Sequence, residues 1–242
     1  MAEDKATEYP ETADIETSSE DYAGRFSSAA GKWMLRLQEK VVLGWIKHEN
    51  KYSVLDVGGG HGQLAGPILS QGIDVTVLGS SDECAARLDS EKIKFVKGNI
   101  IEIPFGDKSF DTTVSIRLLP HCGEWQKLIS ELCRVAGKTV IVDYPTGQSV
   151  NCLSSMMFGM KKKVEGNTRQ YRLFKRFDVR DEFKKNGFVL RSRKPEFFLP
   201  MVMHRMINCP YISSFLEFPF RILGLTGLFG SPILELYSRE ED

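Results

Sequence analysis

The feature that most constrains this chain is a glycine-rich turn directly after a short apolar run. Residues 53–55 read Ser-Val-Leu, and residues 56–62 continue as Asp-Val-Gly-Gly-Gly-His-Gly. Glycine tolerates backbone conformations that other residues avoid, and it lacks the Cβ that would hold a ligand away from the backbone. Apolar residues recur at helical spacing over residues 63–69, so the turn is expected to open a helix whose first N–H groups face a ligand. The pattern therefore predicts a small-cofactor site after the first strand.

Two familiar glycine-rich motifs fit this turn poorly. A P-loop requires Lys and then Ser or Thr after its last glycine, and neither follows here, so that interpretation fails. A dinucleotide-binding fingerprint can be placed on residues 60–65. It then requires an acid about 20 residues further on, where Ser80 and Ser81 stand, and it leaves Asp56 without a role. A nicotinamide-linked oxidoreductase, the enzyme class that a dinucleotide-binding fingerprint would indicate, is therefore the least favoured function.

Beyond the turn, strand-like runs alternate with helical patterns. Strands are predicted at 73–78, 93–96, 112–116 and 138–142, and helices at 81–88 and 124–135. This alternation implies right-handed βαβ crossovers and an α/β fold with a parallel sheet, whose ligands bind beyond the carboxyl ends of the strands. A helix at 178–186 and strands at 188–193 and 197–204 would complete a Rossmann-like, doubly wound sheet of seven strands with the last strand antiparallel.

The span from about Val54 to Asp143 resembles the core of the class I methyltransferases, which bind S-adenosylmethionine (SAM). It is most similar to the group that includes the ubiquinone and menaquinone methyltransferases. Residues 104–111 are similar to that group's Pro-Phe-x-x-x-Ser-Phe-Asp segment. Four residues match every specified position of the first family motif, Asp/Glu-x-Gly-x-Gly-x-Gly: Asp56, Gly58, Gly60 and Gly62. The resemblance implies SAM as the cofactor, with the turn contacting its methionine part.

The resemblance also implies roles for residues after the second strand, where this chain departs from the family. The family has an acid there that binds both ribose hydroxyls, and the matching residue here is Gly79. Ser80 is expected to offer one hydroxyl in its place, unless Asp82 reaches back. This departure supports a second candidate function, a protein that binds SAM without transferring its methyl group.

Further cofactor contacts follow from the resemblance along the same edge of the sheet. Asn99, followed by Ile100, takes the place of the family's adenine-binding Asp, and an amide oxygen accepts the same hydrogen bond. Arg117 stands where the family has a residue that lines the sulfonium end of SAM. Alternatively, Arg117 points to an anionic methyl acceptor. Arg25, in a helical segment before the turn, is a candidate partner for the SAM carboxylate or an ordinary solvated surface residue.

A catalytic base is needed only when the methyl acceptor carries a proton. His121 follows the fourth strand near the expected methyl position, and the pKa of an unperturbed histidine, near 6.5, suits proton transfer. Asp143 and Tyr144, at the end of the fifth strand, are the alternatives. No metal site is expected, because the five cysteines show no paired CxxC spacing, and their odd number favours a reducing compartment such as the cytoplasm.

The ends of the chain predict its domain organisation. Residues 1–20 hold seven acids and one lysine, so we expect a disordered tail without the features of a signal peptide. Residues 21–205 are expected to form the methyltransferase domain, with an acceptor-binding lid at 145–177. Residues 206–242 read as an apolar extension.

The expected partner is a small-molecule methyl acceptor that is lipid-like or partly anionic. Nucleic acid is disfavoured, because the Asn/Asp-Pro-Pro-Tyr motif of amino-methylating enzymes is absent after the fourth strand. The basic run at 161–176 and the apolar stretch at 211–236 are candidates for peripheral membrane contact, and a homodimer is a further candidate. No stretch reaches 18 uninterrupted apolar residues, so no transmembrane helix is expected.

Overall fold

The centre of the computed structural model, which describes residues 8–46, 52–89, 91–149 and 171–240, is a seven-stranded sheet. The strands are β1 (Ser53–Val57), β2 (Asp74–Gly79), β3 (Lys94–Lys97), β4 (Phe110–Ser115), β5 (Ala136–Tyr144), β6 (Phe188–Pro195) and β7 (Ile233–Arg239). Their order across the sheet is β3-β2-β1-β4-β5-β7-β6. β1 to β5 are parallel, whereas β7 runs antiparallel to both of its neighbours. The predicted α/β sheet with an antiparallel last strand is confirmed.

Helices cover both faces of this sheet. They are α1 (Ala13–Ser18), α2 (Glu20–Gly24), α3 (Ala29–Trp45), α4 (Ala65–Ser70), α5 (Trp125–Val135), α6 (Arg176–Lys185), α7 (Met201–Ile207), α8 (Pro210–Ile222) and α9 (Leu225–Phe229). The side chains of the central strands alternate between two apolar clusters, with Leu55 in one and Val54 in the other. Burial on both faces is what a parallel sheet requires, because its crossover helices lie on either side.

The helix predicted at 81–88 is only a short 3₁₀ turn, Asp82–Ala85. Ser81 does cap it, since its Oγ accepts a hydrogen bond of 3.3 Å from the N–H of Glu83. Cys84 is fully buried, so the segment folds inward after one turn instead of continuing along the surface as a helix.

The carboxyl-terminal third of the chain departs most from the sequence prediction. The strand predicted at 197–204 is wrong. Pro200, which has no N–H to donate to a sheet, immediately precedes α7. The seventh strand is β7, which the sequence assigned to an apolar extension. Because β7 lies between β5 and β6, the predicted domain boundary at residue 205 is also wrong, and residues 206–240 belong to the domain.

The predicted disorder of residues 1–20 is wrong for their described part, and residues 1–7 lie outside the described residues. Residues 13–18 form α1 and residue 20 begins α2. The acids expected to keep this segment in solvent instead have partners in the domain: Glu8 pairs with Lys97 at 2.7 Å, and Glu20 pairs with Arg87 at 2.7 Å. We call residues 8–20 the N-terminal strap.

The predicted lid at 145–177 lies largely outside the described residues, which omit 150–170. Its two ends are joined, because Phe174 donates to the carbonyl of Pro145 and accepts from the N–H of Gly147, each at 3.0 Å. The described ends of the segment therefore lie side by side next to β5.

Glu217 fixes the orientation of α8. Its fully buried carboxylate accepts hydrogen bonds of 2.9 Å from the backbone N–H groups of Phe198 and Leu199, and it lies 3.0 Å from His204 Nε2. Burial by itself raises the pKa of Glu217, but these hydrogen bonds outweigh burial and hold the pKa below its ordinary value.

Within the described residues, no helix is long and apolar enough to cross a membrane.

Replacing Glu217 by Ala is expected to lower the free energy of unfolding by about 3 kcal/mol, because buried donors lose their acceptor. Since folding lowers the pKa of Glu217, its contribution is complete above the unfolded pKa, about 4.3, and is lost as the pH falls through the folded pKa. Urea denaturation should show the difference between wild type and Glu217→Ala shrinking below about pH 4. The exposed Glu102→Ala is the control, and equal losses in both variants would contradict the assignment.

Candidate functional site

The glycine-rich turn lies at the carboxyl end of β1, in the middle of the sheet. Gly58 (φ +74°) and Gly62 (φ +71°) adopt left-handed conformations that favour glycine. The N–H of Gly58 donates to the carbonyl of Leu78 in β2, a distance of 2.9 Å. The predicted placement of the turn between the first two strands therefore agrees with the structure. The helix α4 begins only at Ala65, three residues beyond the turn.

Asp56 is a buried carboxylate at the base of this turn. The residue is fully inaccessible to solvent, and among the described residues neither carboxylate oxygen has a hydrogen-bond partner. Burial raises the pKa of Asp56 to about 7, and the positive charge of Arg117 opposes this rise. A buried polar group without a partner is costly, so its presence suggests that a ligand's donor completes the site.

Helix α1 packs directly on the glycine turn. A Cβ built on Gly60 would collide with the carbonyl oxygen of Cys84 and would lie 2.5 Å from Ser18 Oγ. The space that the sequence assigned to a cofactor at Gly60 is therefore filled by protein atoms in this structure.

Asp14 of α1 binds Ser80, next to Gly79, where the sequence predicts the ribose side of the cofactor site. Its carboxylate accepts hydrogen bonds of 2.6 Å from both the N–H and the hydroxyl of Ser80, and the thiol of Cys84 lies 3.3 Å away. Asp14 is fully buried. Asp82, the other suggested substitute, points instead toward Lys97 at 3.5 Å. Sequence reasoning missed Asp14, because its 66-residue separation from Ser80 leaves no local signal.

The strap also covers the predicted adenine side of the cleft. Ala13 belongs to the same buried apolar cluster as Ile100, and Glu11 accepts a hydrogen bond of 2.7 Å from the N–H of Gly123. Asn99 turns its side-chain oxygen toward the N–H of Ile101, at 3.1 Å. The Asn99 side chain is thus bonded within its own loop, and Ile100 is fully buried in the protein interior.

Arg117 and Asp143 form a rigid pair at the ends of β4 and β5. Arg117 has a left-handed backbone (φ +62°), and its N–H donates to Asp143 Oδ1 at 2.5 Å. Asp143 also accepts a hydrogen bond of 3.0 Å from Gln38 of α3. Burial raises the pKa of Asp143 to about 6, and its hydrogen bond from Arg117 opposes this rise. Asp143 therefore holds the backbone of Arg117 in place.

A pocket of about 360 Å³ remains open beside the turn, between α2, α3 and Arg117. The Arg117 guanidinium lies 5.0 Å from the ring centre of Phe26, and among the described residues its Nε has no hydrogen-bond partner. Five charged residues of the described chain line the pocket. Four are cationic, Lys32, Arg36, Arg87 and Arg117, and one is acidic, Glu39. The pocket is thus suited to an anionic group such as a carboxylate.

The remaining predicted site residues are only partly brought together. His121 lies beside Tyr22, a residue that lines the pocket, with 6.1 Å between the two ring centres. Arg25 is half exposed and lies 4.0 Å from Glu16, on the strap side of the pocket. Tyr144 is fully buried and donates to Glu235 at 2.8 Å. Its predicted catalytic role is not supported by this geometry, since its hydroxyl faces a buried carboxylate and not the cleft.

The sheet is a Rossmann-like α/β fold, with β7 inserted between β5 and β6 and a glycine turn after β1. Residues 55–141 match the family model described as a methyltransferase domain. The predicted methyltransferase core is therefore confirmed for this part of the chain.

Individual proteins support the same class. A ubiquinone biosynthesis O-methyltransferase of Rickettsia akari is 33% identical over 102 residues, which are 40% of each chain. A sterol 24-C-methyltransferase of Pneumocystis carinii is 34% identical over 34% of this chain and 24% of that protein. The chain thus spans less than half the length of these curated relatives. Magnesium protoporphyrin IX methyltransferase from Synechocystis, solved with bound SAH, shares the fold at a TM-score of 0.62 and 16% identity, over 88% of this chain and 86% of that one.

The side chains at the site suit SAM chemically, but the structure leaves too little space for the whole cofactor. The Asp56 carboxylate, which has no hydrogen-bond partner among the described residues, can receive an amino group. The adenosine side, by contrast, holds α1. A cofactor that used Ser80 as the sequence predicts would therefore have to displace the Asp14 carboxylate of α1.

Adding a methyl group at Gly60 is expected to destabilise the protein even without a ligand. Gly60→Ala should lower the free energy of unfolding by about 1–3 kcal/mol, because the new Cβ overlaps the Cys84 backbone. Gly66→Ala in α4, where nothing lies within 4 Å, is the matched control and should stabilise by up to about 1 kcal/mol. Urea denaturation compares the two, and an unaffected Gly60→Ala would show that the Cys84 backbone does not approach Gly60 this closely.

Proposed function

We propose that this protein is a SAM-dependent methyltransferase that acts on a small, lipid-like or partly anionic acceptor. The observation that carries the proposal is the buried, unpartnered Asp56 beneath a glycine turn at the carboxyl end of β1. The match of residues 55–141 to a methyltransferase domain supports it. When bound, the cofactor supplies an electrophilic methyl group, and the protein's task is to align an acceptor with it and exclude water.

The residues of this chain divide that task. Asp56 and the carbonyl groups of the turn hold the amino end of the cofactor, and Arg117 with its neighbours in the cationic pocket holds an anionic group. Asp143 keeps the Arg117 backbone in its left-handed conformation. His121 takes a proton from the acceptor when the acceptor carries one.

The acceptor class rests on two supports. The names of the relatives, a ubiquinone biosynthesis O-methyltransferase and a sterol 24-C-methyltransferase, both refer to lipid-soluble molecules. The pocket beside the turn combines the apolar rings of Tyr22 and Phe26 with the cationic Arg117. An acceptor with an apolar body and one anionic group suits this lining.

The proposed cellular location rests on the cysteines, and the proposed partners rest on the apolar stretch near the end of the chain. Among the described residues, Cys84, Cys122, Cys133 and Cys209 form no disulfide, which is consistent with a reducing cytoplasm. Membrane contact is proposed within the stretch 211–236. The first ten residues of the other candidate, 161–176, lie outside the described residues. A homodimer through the same surface is the competing partner.

The second candidate function is a SAM-binding protein without transferase activity. Two observations favour it: Gly79 supplies no ribose-binding acid, and α1 fills the cleft at Ser80. In the proposed enzyme the cofactor displaces α1. In the alternative protein the strap stays in place and permanently fills part of the cofactor site.

Titration calorimetry separates these possibilities. The full chain is expected to bind SAM and not NAD, and transfer of a tritiated methyl group to lipid-soluble metabolites is expected to follow. Binding of NAD alone would overturn the proposal in favour of an oxidoreductase, and binding of SAM without transfer to any acceptor would favour the inactive protein.

The same titration tests displacement of the strap. Asp14→Ala is expected to tighten SAM binding by about tenfold, because the strap loses hydrogen bonds to Ser80 that a competing cofactor must otherwise break. Asp21→Ala, an exposed acid of α2, carries the same charge change and should leave the affinity unchanged. Weaker binding by Asp14→Ala would instead identify Asp14 as a ligand of the cofactor.

His121→Ala is expected to slow methyl transfer by about 10²–10⁴-fold without changing SAM affinity, because general base catalysis contributes that much. The pH dependence of kcat provides the specific readout, since the variant should lose the limb that rises near the pKa of histidine. A variant that retains the limb would show that His121 plays no part in proton transfer.

A further inference from the structure

Helix α8 carries its large apolar side chains on the outside of the protein. Tyr211, Phe215, Phe218 and Ile222 recur at intervals of four, three and four residues, which places them on one face of the helix. Their exposed fractions are 88%, 75%, 59% and 67%. In a water-facing helix this face would hold charged residues.

The opposite face of α8 carries two buried polar residues. Ser213 and Glu217 are both fully inaccessible, and Glu217 is held by the N–H groups of Phe198 and Leu199. Rotating α8 to bury its aromatic stripe would therefore expose or unpair Glu217. The hydrogen bonds of Glu217 fix the apolar face outward.

The exposed apolar surface extends beyond α8. Residues 206–233 contain only two charged side chains, the buried Glu217 and Arg221, so this stretch exposes no acid. Further large side chains on α7, on α9 and between α8 and α9 are exposed: Met203, Met206, Leu223, Leu228 and Phe229. Contiguous apolar surface of this kind usually marks an interaction site.

A cationic flank adjoins this surface. The Arg176 guanidinium donates to the carbonyl of Leu228 at 2.7 Å, which joins the start of α6 to α9. Phe177, the residue after Arg176, is 62% exposed, and Tyr171, which lies beside His121, is 63% exposed. Residues 171–180 hold four cationic side chains against one acid, with Arg180 lying 5.6 Å from the ring centre of Phe177.

We propose that the α8 face (the exposed apolar side chains of α7 to α9 with the flank at 171–180) docks on the surface of an anionic bilayer. Exposed aromatic and aliphatic side chains suit the boundary between headgroups and acyl chains, and the cationic flank suits lipid phosphates. At 13 residues, about 20 Å, α8 lies in the plane of the interface and does not cross it.

Charge complementarity favours a bilayer over a second copy of the chain. An isologous dimer through this face would bring identical surfaces together, and the stretch 206–233 offers no exposed acid to pair with the cationic flank of the partner. A bilayer that contains anionic lipid supplies both an apolar layer and the missing negative charge.

The docked face connects to the pocket through α3. Both α7 and α8 pack against α3, and α3 contributes Leu35 and Arg36 to the lining of the pocket. Docking would thus hold the pocket one helix layer from the lipid surface. The inference does not depend on methyl transfer, and it can be tested without cofactor or acceptor.

Co-sedimentation of the full chain with vesicles tests the proposal. One vesicle set contains phosphatidylcholine alone, and the other contains phosphatidylcholine and phosphatidylglycerol in equal parts. Binding is expected to the anionic set, and it should weaken as salt is added, because the attraction between the flank and the phosphates is screened. No sedimentation with the anionic set would overturn the proposal, and equal binding to both sets would overturn its electrostatic part.

Variants locate the contact. Combined Phe215→Ser and Phe218→Ser should lower vesicle partitioning at least tenfold, and Arg180→Glu should lower it about tenfold. Lys94→Glu makes the same charge change on β3, at the opposite edge of the sheet from β6, and should have no effect. Because the substituted side chains are exposed, thermal unfolding should match wild type.

Two results would refute this assignment. In one, the Phe215 and Phe218 substitutions leave partitioning unchanged. In the other, sedimentation velocity shows a wild-type dimer that these substitutions convert to a monomer, while no variant binds vesicles. That second result would identify the α8 face as a subunit interface.

Discussion

The pair of hydrogen bonds from Ser80 to the Asp14 carboxylate is the interaction on which the state of the cleft depends. Ser80 follows β2, so its N–H is one of the strand-end donors that a ligand in an open α/β sheet meets. Asp14 takes that donor and carries α1 onto the glycine turn. The same chemistry that makes a strand end a binding site makes it a docking point for the protein's own acidic segment. Under the proposed function, the strap and the cofactor therefore compete for the same strand-end donor.

The first five strands were predictable because they follow a repeating local rule. Each is a short apolar run between helical patterns, and parallel strands buried on both faces leave that pattern nearly undisturbed. The carboxyl-terminal part obeys no such rule. The apolar run at 197–204 resembles a strand, but Pro200 and the packing of Phe197 beside α3 direct it into α7. β7 is defined by its neighbours β5 and β6 and not by its own sequence.

The candidate site likewise has one part that the sequence predicts and one part that it does not. The turn from Asp56 to Gly62 was predictable, because glycines at fixed spacing after a strand are typical of a backbone that approaches a ligand closely. Asp14 was not, since its partner lies 66 residues away and a segment rich in acids normally indicates solvation. One signal could have suggested it: the chain lacks an acid after β2, where Gly79 leaves a strand-end donor available, and it carries surplus acids near its start.

Helix α8 shows why an apolar stripe alone does not reveal what it contacts. Periodicity identifies an apolar face, and the usual inference is that this face points into the core. The inference fails here because a stronger constraint acts on the opposite face: Glu217 satisfies two backbone N–H groups and His204 inside the protein. An unpaired buried carboxylate is costlier than an exposed aromatic ring. The buried polar contacts, and not the apolar residues, therefore decide which way the helix faces, and the surface that results needs a partner outside the chain.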